Sequence, residues 1–404
     1  MSFIRRTAMS AIALALLPLG AAQAQDKKYG PGVTDAEIVI GQTMPYTGPV
    51  SFWGANGRAD VAYFEMVNAD GGVNGRKLVL HSEDDGYSPP KALEQVRKLV
   101  EQTGVAFIYR SLGTATNSAT AKYLNDSDVP QLLIASGASK WNDPANLPWT
   151  LTSQMTYGTE AALYARHIMD TMPNAKVAVL YQNDDFGKDF LSSFNAKLGD
   201  KASSMIVKAL SYEATDPTID PQVLEMQAAG ADVLMLFSTA KHAAQAIRKS
   251  ADLGWKPQMF ISNLSANIPL TFKPAGLENA KGIITAQFFK DPIDPQWKDD
   301  PEVAAYNAWM DKYLPGQNKA DLVYPAAFGV GSILMEILRS AGDDLTRENI
   351  MAKALSLNEF KPALMIPGIT VTTTPEDHRV FKAGRLVRFN GEIFETAVEL
   401  VTDN

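Results

Sequence analysis

Hydroxyl-bearing residues and glycines are concentrated in two short segments of the sequence. These are Ser111-Leu112-Gly113-Thr114-Ala115-Thr116-Asn117 and Ala135-Ser136-Gly137-Ala138-Ser139. Hydroxyls and exposed backbone N–H groups hold small anions such as carboxylates, and the positive end of a helix dipole adds to the attraction. The same residue types also cap helices in any α/β protein. The two segments therefore form either an anion site or ordinary helix starts, and residue types alone leave both open.

Motifs of other chemistries are missing from the sequence. It contains no G-x-x-x-x-G-K-[ST], G-x-S-x-G or H-E-x-x-H pattern, and its 4 histidines form no i, i+4 pair. Asp84-Asp85 and Asp184-Asp185 each follow a predicted strand, where turn and helix-cap roles are favoured over metal binding. We expect no catalytic residue, no metal and no cofactor. An exported α/β hydrolase using Ser136 or Ser139 is the enzymatic alternative.

The composition is that of an ordinary globular protein. The 404 residues are 46% hydrophobic and 20% charged, a length that favours two domains. The formal net charge of −8 argues against a nucleic-acid partner. The absence of cysteine excludes disulfides and thiolate chemistry.

The first residues have the pattern of a secretory signal peptide. Arg5-Arg6 precede an apolar run from Ala8 to Leu19, and Ala22-Gln23-Ala24 resembles a cleavage site. The apolar run is shorter than the roughly 20 residues that a membrane-spanning helix needs. We therefore assign residues 1–24 to a signal peptide cleaved near Ala24, and expect a periplasmic protein.

From Ile38 onward, short β-branched runs alternate with amphipathic stretches, which predicts βαβ units and parallel sheets. Breaker clusters at 142–148 and 291–301 interrupt this rhythm, and a second series of similar length lies between them. The tail is β-rich at 369–373, 385–389 and 393–400. We expect two doubly wound α/β lobes, with ligand-binding loops beyond the carboxyl ends of the strands.

Several motifs, taken in order, resemble those of one family. They are Gly48-Pro49-Val50 with Trp53-Gly54, Asn68-Ala69-Asp70-Gly71-Gly72-Val73-Asn74-Gly75, Asp84-Asp85-Gly86-Tyr87-Ser88-Pro89, Leu112-Gly113-Thr114, Asp184-Asp185-Phe186-Gly187-Lys188-Asp189 and Pro367-Gly368-Ile369. The chain thus resembles the type I periplasmic solute-binding proteins of ABC importers, in the branched-chain amino-acid-binding (Leu/Ile/Val-binding-protein-like) branch.

This resemblance implies two lobes joined by a three-crossing hinge that closes on one small solute. Lobe I is expected to comprise residues 36–153 and 288–364, and lobe II residues 154–287 and 365–404. The implied partner is an inner-membrane ABC permease with a cytoplasmic ATPase, served by a monomeric binding protein. A soluble ligand-binding protein that acts in sensing is an alternative on the same fold.

The resemblance also assigns roles to individual residues. Thr114 and the N–H groups around it match the carboxylate seat. Gly137 and Ser139, with Ala138 between them, match a second polar patch. The implied contacts to the rest of the solute are Trp53, Leu112, Phe186 and Thr239.

Leu264 departs from the family pattern, because amino-acid binders carry a glutamate there that faces the ligand's ammonium. Burying an ammonium without an anionic partner costs several kcal/mol, so we expect an apolar or aromatic monocarboxylate rather than an amino acid. A shift of one residue would instead bring Asn263 or Ser265 into the site. A branched-chain amino-acid or amide binder is therefore the alternative.

Overall fold

Two large sheets and one two-stranded sheet organise residues 27–402, the part of the chain that the computed structural model describes. The predicted signal peptide, residues 1–24, lies outside these residues. No helix within 27–402 combines the length and the apolar composition needed to cross a bilayer.

The strands are β1 (Lys28–Tyr29), β2 (Glu37–Met44), β3 (Lys77–Asp84), β4 (Phe107–Tyr109), β5 (Gln131–Ile134), β6 (Thr150–Thr152), β7 (Val177–Gln182), β8 (Ile206–Tyr212), β9 (Val233–Phe237), β10 (Gln258–Ile261), β11 (Ile284–Gln287), β12 (Asp344–Leu345), β13 (Ala383–Phe389) and β14 (Phe394–Thr402). The helices are α1 (Ala55–Ala69), α2 (Pro89–Lys98), α3 (Thr114–Asp126), α4 (Tyr157–Thr171), α5 (Asp185–Leu198), α6 (Ala202–Met205), α7 (Asp220–Ala228), α8 (Ala240–Asp252), α9 (Lys273–Ala275), α10 (Leu277–Ala280), α11 (Pro301–Tyr313), α12 (Val323–Ala341) and α13 (Arg347–Ala354).

Lobe I is built on a five-stranded parallel sheet of order β3-β2-β4-β5-β6. Helices from a distant part of the chain complete it. Trp309 of α11 donates a hydrogen bond to the carbonyl of Ala62 in α1 (3.2 Å), and the ring of Tyr63 packs edge-on against Phe328 of α12. Arg347 of α13 donates to the carbonyl of Ala106 (2.9 Å). The short pair β1 and β12 is also parallel.

Lobe II is built on a seven-stranded sheet of order β14-β13-β11-β10-β9-β7-β8. Its first five strands in sequence are parallel, and β13 and β14 add to the β11 edge in antiparallel fashion. The central strands β7 and β9 are fully buried apart from Tyr181, as expected for a sheet covered by helices on both faces. The antiparallel tail agrees with the β-rich pattern at 385–389 and 393–400.

The chain passes between the lobes three times: after β6, after β11 and before β13. Isolated bridges accompany two of these passages, between Met155 and Phe381 and between Phe289 and Met365. The two lobes and the parallel sheets confirm the predicted fold class. The lobe boundaries at 153/154, 287/288 and 364/365 stay a prediction.

One predicted strand is wrong. Residues 369–373 form no strand, and Val371 makes only an isolated bridge to Phe360. The apolar residues of this segment are buried as anchors of the third passage, with Ile369 and Val371 at 3% and 0% exposure. The alternation of apolar and polar residues in this segment therefore results from apolar side chains that are buried next to the third passage, and not from a strand in a sheet.

The strand order creates a switch point in each lobe. In lobe I, β2 lies between β3 and β4, and in lobe II, β7 lies between β8 and β9. Loops that leave the two sides of such a point diverge and open a crevice at the carboxyl edge. The crevices of the two lobes contribute to the same cleft.

Candidate ligand-binding cleft

Two adjacent chambers lie between the lobes. They enclose about 560 Å³ and about 640 Å³ of space between the atoms, open solvent included. Trp53, Asn56, Gln154 and Leu264 line both chambers, so the chambers are neighbours. The other residues of the first chamber are Val50, Tyr87, Leu112, Gly113, Thr114, Ala135, Tyr157, Phe186, Thr239 and Ser265.

Three hydroxyl groups meet at one side of the first chamber. The Thr114 Oγ1 atom lies 2.8 Å from Ser136 Oγ and 3.2 Å from the Tyr157 hydroxyl. Trp141 Nε1 donates to Ser136 Oγ (2.8 Å), which fixes that serine from behind. Thr114 and Ser136 belong to lobe I, whereas Tyr157 begins α4 of lobe II. The cluster therefore joins the two lobes.

The helix that begins at Thr114 starts without a side-chain cap. Its N-cap is Gly113, with φ 108°, a conformation that favours glycine. A Cβ atom at this position would lie 2.7 Å from the ring of Tyr87, so the glycine also permits that ring to approach. The first N–H groups of α3 are left for a ligand, at the positive end of a 13-residue helix.

Apolar and aromatic side chains form the remaining wall. Trp53 and Leu112 contribute from lobe I, and Phe186 and Leu264 from lobe II. The Phe186 ring packs edge-on against Tyr157, with ring centroids 5.3 Å apart, which holds both at the cavity. Thr239 lines the same chamber at the start of α8.

The predicted second polar patch does not line either chamber. Ser139 instead binds lobe II, because its N–H and its hydroxyl both donate to Asp189 (3.0 and 3.1 Å). Ala138 is buried at 2% exposure. Gly137 lies behind Tyr157, whose ring would be 2.8 Å from an added Cβ atom. The structure thus gives these residues positions that support the lobe contact and Tyr157.

Arg110 is a lining residue that the sequence analysis did not single out. It directly follows β4, has φ 49° and is 1% exposed. Its guanidinium donates to Asp60 (2.9 and 3.1 Å) and to Asn56 (2.9 Å), while its Nε atom has no hydrogen-bond partner. Burial raises the pKa of Asp60, while Arg110 and the Gln42 amide lower it. These donors favour the ionised carboxylate, so the pair is close to neutral overall.

Tyr87 and Tyr157 were also missed. Tyr87 lies in the loop after β3 and Tyr157 at the start of α4, and both line the first chamber. An aromatic residue shortly after a strand was the feature of the sequence that could have indicated them. For Arg110 the signal was a single charged residue at the end of an apolar run, Val105 to Tyr109. Asn56 and Gln154 carried no distinguishing pattern.

Acidic residues of lobe II hold the rim of the cleft against lobe I. The Tyr87 hydroxyl donates to Asp184 (3.1 Å), and Lys140 Nζ lies 2.7 Å from Asp185. The hydrogen bond from Lys140 lowers the pKa of Asp185. Together with the two bonds from Ser139 to Asp189, these contacts join the two lobes across the cleft.

Among the described residues that line the two chambers, none is Asp or Glu. The acid nearest along the chain to a lining residue of α4 is Glu160, which is fully buried. Burial raises its pKa to about 8, although the Tyr164 hydroxyl and the Asn263 N–H partly oppose the rise. Burial therefore favours the neutral form of Glu160 at pH 7.

The arrangement does not support the hydrolase alternative. Within residues 27–402, the recorded partners of Ser136 and Ser139 include no histidine. No group of three or more acidic or histidine side chains in the described part of the chain could hold a metal ion.

The family profile described as periplasmic binding protein matches residues 37–392. A Leu/Ile/Val-binding protein homolog 7 from Brucella abortus is 24% identical over 259 residues, which cover 62% of this chain and 62% of that relative. The match thus spans less than two thirds of the relative's length.

Solved structures share the fold over nearly the whole chain. A branched-chain amino acid ABC transporter protein from Thermus thermophilus with bound valine has a TM-score of 0.83 at 20% identity, covering 92% of this chain and 98% of that one. A solute-binding protein from R. palustris in complex with 4-hydroxybenzoate has a TM-score of 0.76 at 17% identity, covering 91% and 97%.

Proposed function

The chain belongs to the periplasmic binding protein family, and we propose that it captures a small monocarboxylate with an apolar or aromatic body for an ABC importer. Family membership confirms the resemblance seen in the sequence and the expectation of a binding protein rather than an enzyme. Export through a signal peptide, delivery to a permease and a monomeric state belong to the same proposal.

The observation that carries the ligand class is the charge pattern of the cleft. A carboxylate can be held by the Thr114 hydroxyl and the free N–H groups of α3, which act as charge-assisted donors. An ammonium would find no lining carboxylate among the described residues, since Leu264 stands at the position of the expected acid. The cleft therefore favours acids over amino acids.

The fold by itself does not decide between these ligands. One protein of this fold carries valine and another carries 4-hydroxybenzoate. The lining residues are what distinguish the candidates, and in this chain Trp53, Tyr87, Tyr157 and Phe186 place four aromatic rings around the first chamber. Such rings suit a flat or branched apolar body.

Closure supports the transport role. The solute would contact Thr114 of lobe I together with Tyr157 and Phe186 of lobe II. A ligand that contacts both lobes favours the closed arrangement over the open one, because only the closed arrangement offers both sets of contacts. The closed shape is what a permease would recognise.

Isothermal titration calorimetry with benzoate, cinnamate and leucine tests this function. We expect an aromatic acid to bind, and Thr114→Val to weaken it about 10- to 100-fold, because a hydrogen bond to a charged group is lost. Thr171→Val, at an exposed position of lobe II that lines neither chamber, is the matched control and is expected to leave affinity unchanged. Micromolar binding of leucine without binding of either acid would refute the proposal.

A further inference from the structure

The second chamber contains buried donors that no protein group satisfies. Besides the four shared residues, it is lined by Arg110, Asn263, Ala266, Ala286, Gln287, Phe288, Phe289, Leu322, Val323, Pro325 and Ala326. Arg110 Nε and Gln287 Nε2 are both buried and have no hydrogen-bond partner. Buried polar groups are nearly always paired, so two unpaired donors in one cavity indicate an acceptor that comes from outside the chain.

Both Nη atoms of Arg110 have partners within lobe I. Nη1 donates to Asp60 and Nη2 to Asn56, and the Gln42 amide donates to Asp60 Oδ2 (2.7 Å). Asp60 therefore compensates the charge of Arg110 within lobe I. What the chamber receives from Arg110 is one N–H donor, not an uncompensated positive charge.

The backbone conformation of Arg110 indicates that its surroundings hold this residue in place. Its φ of 49° lies in the left-handed region, which costs a residue with a long side chain about 1 kcal/mol or more. Strain of this kind persists where the surroundings hold it. Here the bonds to Asp60 and Asn56 hold the guanidinium at the chamber wall.

The two chambers can be occupied by one molecule. Trp53 of lobe I and Leu264 of lobe II line both chambers, as do Asn56 and Gln154. A solute whose carboxylate lies at Thr114 can pass its apolar middle between Trp53 and Leu264, and its far end then enters the second chamber.

We propose that the second chamber recognises an uncharged oxygen acceptor at the end of the solute opposite its carboxylate. The class is an elongated aromatic monocarboxylate with a distal carbonyl or comparable oxygen, which accepts from Arg110 Nε and Gln287 Nε2. A second carboxylate is disfavoured, because Asp60 already neutralises Arg110 and burying a further charge carries a desolvation penalty. This inference rests on the proposed function and specifies its substrate.

The test compares two acids of equal shape, one with and one without the acceptor. 4-Acetylbenzoate carries a ketone where 4-isopropenylbenzoate carries a C=CH₂ group, and the corresponding cinnamates extend the reach. The comparison is made in whichever series, benzoates or cinnamates, binds more tightly. There we expect the ketone to bind about tenfold more tightly than the isopropenyl acid, because the isopropenyl acid leaves both donors unpaired. Terephthalate and 4-carboxycinnamate should bind more weakly than the ketones.

Gln287→Met removes one donor and keeps the size of the side chain. It should reduce the ratio of ketone affinity to isopropenyl affinity severalfold, because one of the two donors is lost. Circular dichroism and the midpoint of urea unfolding, compared with the parent protein, check that the variant is folded. This variant is preferred to a change at Arg110, which would leave Asp60 buried without its partner.

The outcomes separate the two proposals. If the unsubstituted acids bind and the ketone and isopropenyl acids bind equally, the acceptor site is refuted while the proposed function stands. Tighter binding of the dicarboxylates than of the ketones refutes the uncharged acceptor. If no aromatic acid binds and leucine does, both proposals fail.

Discussion

The two lobes each bury a carboxylate and treat it in opposite ways. In lobe I, Asp60 is 1% exposed and is paired with the Arg110 guanidinium and the Gln42 amide. In lobe II, Glu160 is 0% exposed and has no cation among its recorded partners, only the Tyr164 hydroxyl and the Asn263 N–H. One lobe keeps a charged pair, and the other keeps a neutral acid.

This difference explains why the two walls of the cleft have different character. The pair in lobe I holds a guanidinium at the second chamber and so provides a polar surface. The neutral Glu160 lies inside lobe II, which presents Tyr157, Phe186 and Leu264 to the solute. The comparison concerns charge: Arg110 of lobe I lines the second chamber, whereas the described lining residues of lobe II are all uncharged.

The largest effect is expected from breaking the charged pair. Arg110→Met leaves the buried Asp60 carboxyl without its cation, so that it must either stay charged or take up a proton, and this should lower the free energy of unfolding by about 3 to 5 kcal/mol. Urea denaturation measures this change. The double variant Asp60→Asn with Arg110→Met removes the unpaired charge and should recover part of the loss. If the double variant is no more stable than the single one, the pair is not the source of the effect.

The buried acid of lobe II, Glu160, predicts that the stability of the protein depends on pH. Because burial raises the folded-state pKa of Glu160 from 4.5 to about 8, the folded protein holds a proton that the unfolded chain releases between these values. Stability therefore decreases as pH rises through this window, by at most about 1.4 kcal/mol per pH unit.

Glu160→Gln keeps the shape without the titration, so its stability should depend less on pH and should exceed that of the parent protein at pH 9. Thermal or urea unfolding at pH 5, 7 and 9 measures the difference. Glu94→Gln, at an exposed position, serves as the control. Parallel pH profiles for Glu160→Gln and the parent would contradict a buried neutral carboxyl.

The smallest effect is expected at the rim, where the lobes do carry opposite charges. Lys140 and Asp185 are about half exposed, so their ion pair contributes less than about 1 kcal/mol to closure. Asp185→Asn should weaken solute binding about two- to threefold at low salt, with little effect at high salt. Asp200→Asn, exposed in lobe II away from the rim, should change nothing. A loss that persists at high salt would mean that Asp185 acts through something other than charge.

Part of this cleft could be predicted from the sequence and part could not. Gly113, Thr114 and Phe186 follow strands at the two switch points, and the carboxyl edge of a parallel sheet is a property that alternating strands and helices reveal. Trp53 and Leu264 came from the family resemblance and also line the cavity. The binding roles of all these residues stay predictions.

The residues that escaped prediction depend on three-dimensional context. Ser139 is polar and follows a strand, yet its donors are taken up by Asp189 across the cleft, a contact that no local pattern encodes. Arg110 acquires its position from a left-handed backbone and from Asp60, fifty residues earlier in the chain. Long-range pairing of this kind has no period or spacing in the sequence.

The parallel pairing of Lys28–Tyr29 with Asp344–Leu345 bears on the order in which the molecule assembles. It joins nearly opposite ends of the described chain, and Arg76 fastens it by stacking on Tyr29 and binding Asp343. A chain that emerges from its N-terminus cannot finish lobe I until these late residues arrive, whereas β7 to β11 follow one another without interruption. In assembly from the N-terminus, the pairing of this opening segment would therefore form late, as would the addition of β13 and β14 to the sheet of lobe II.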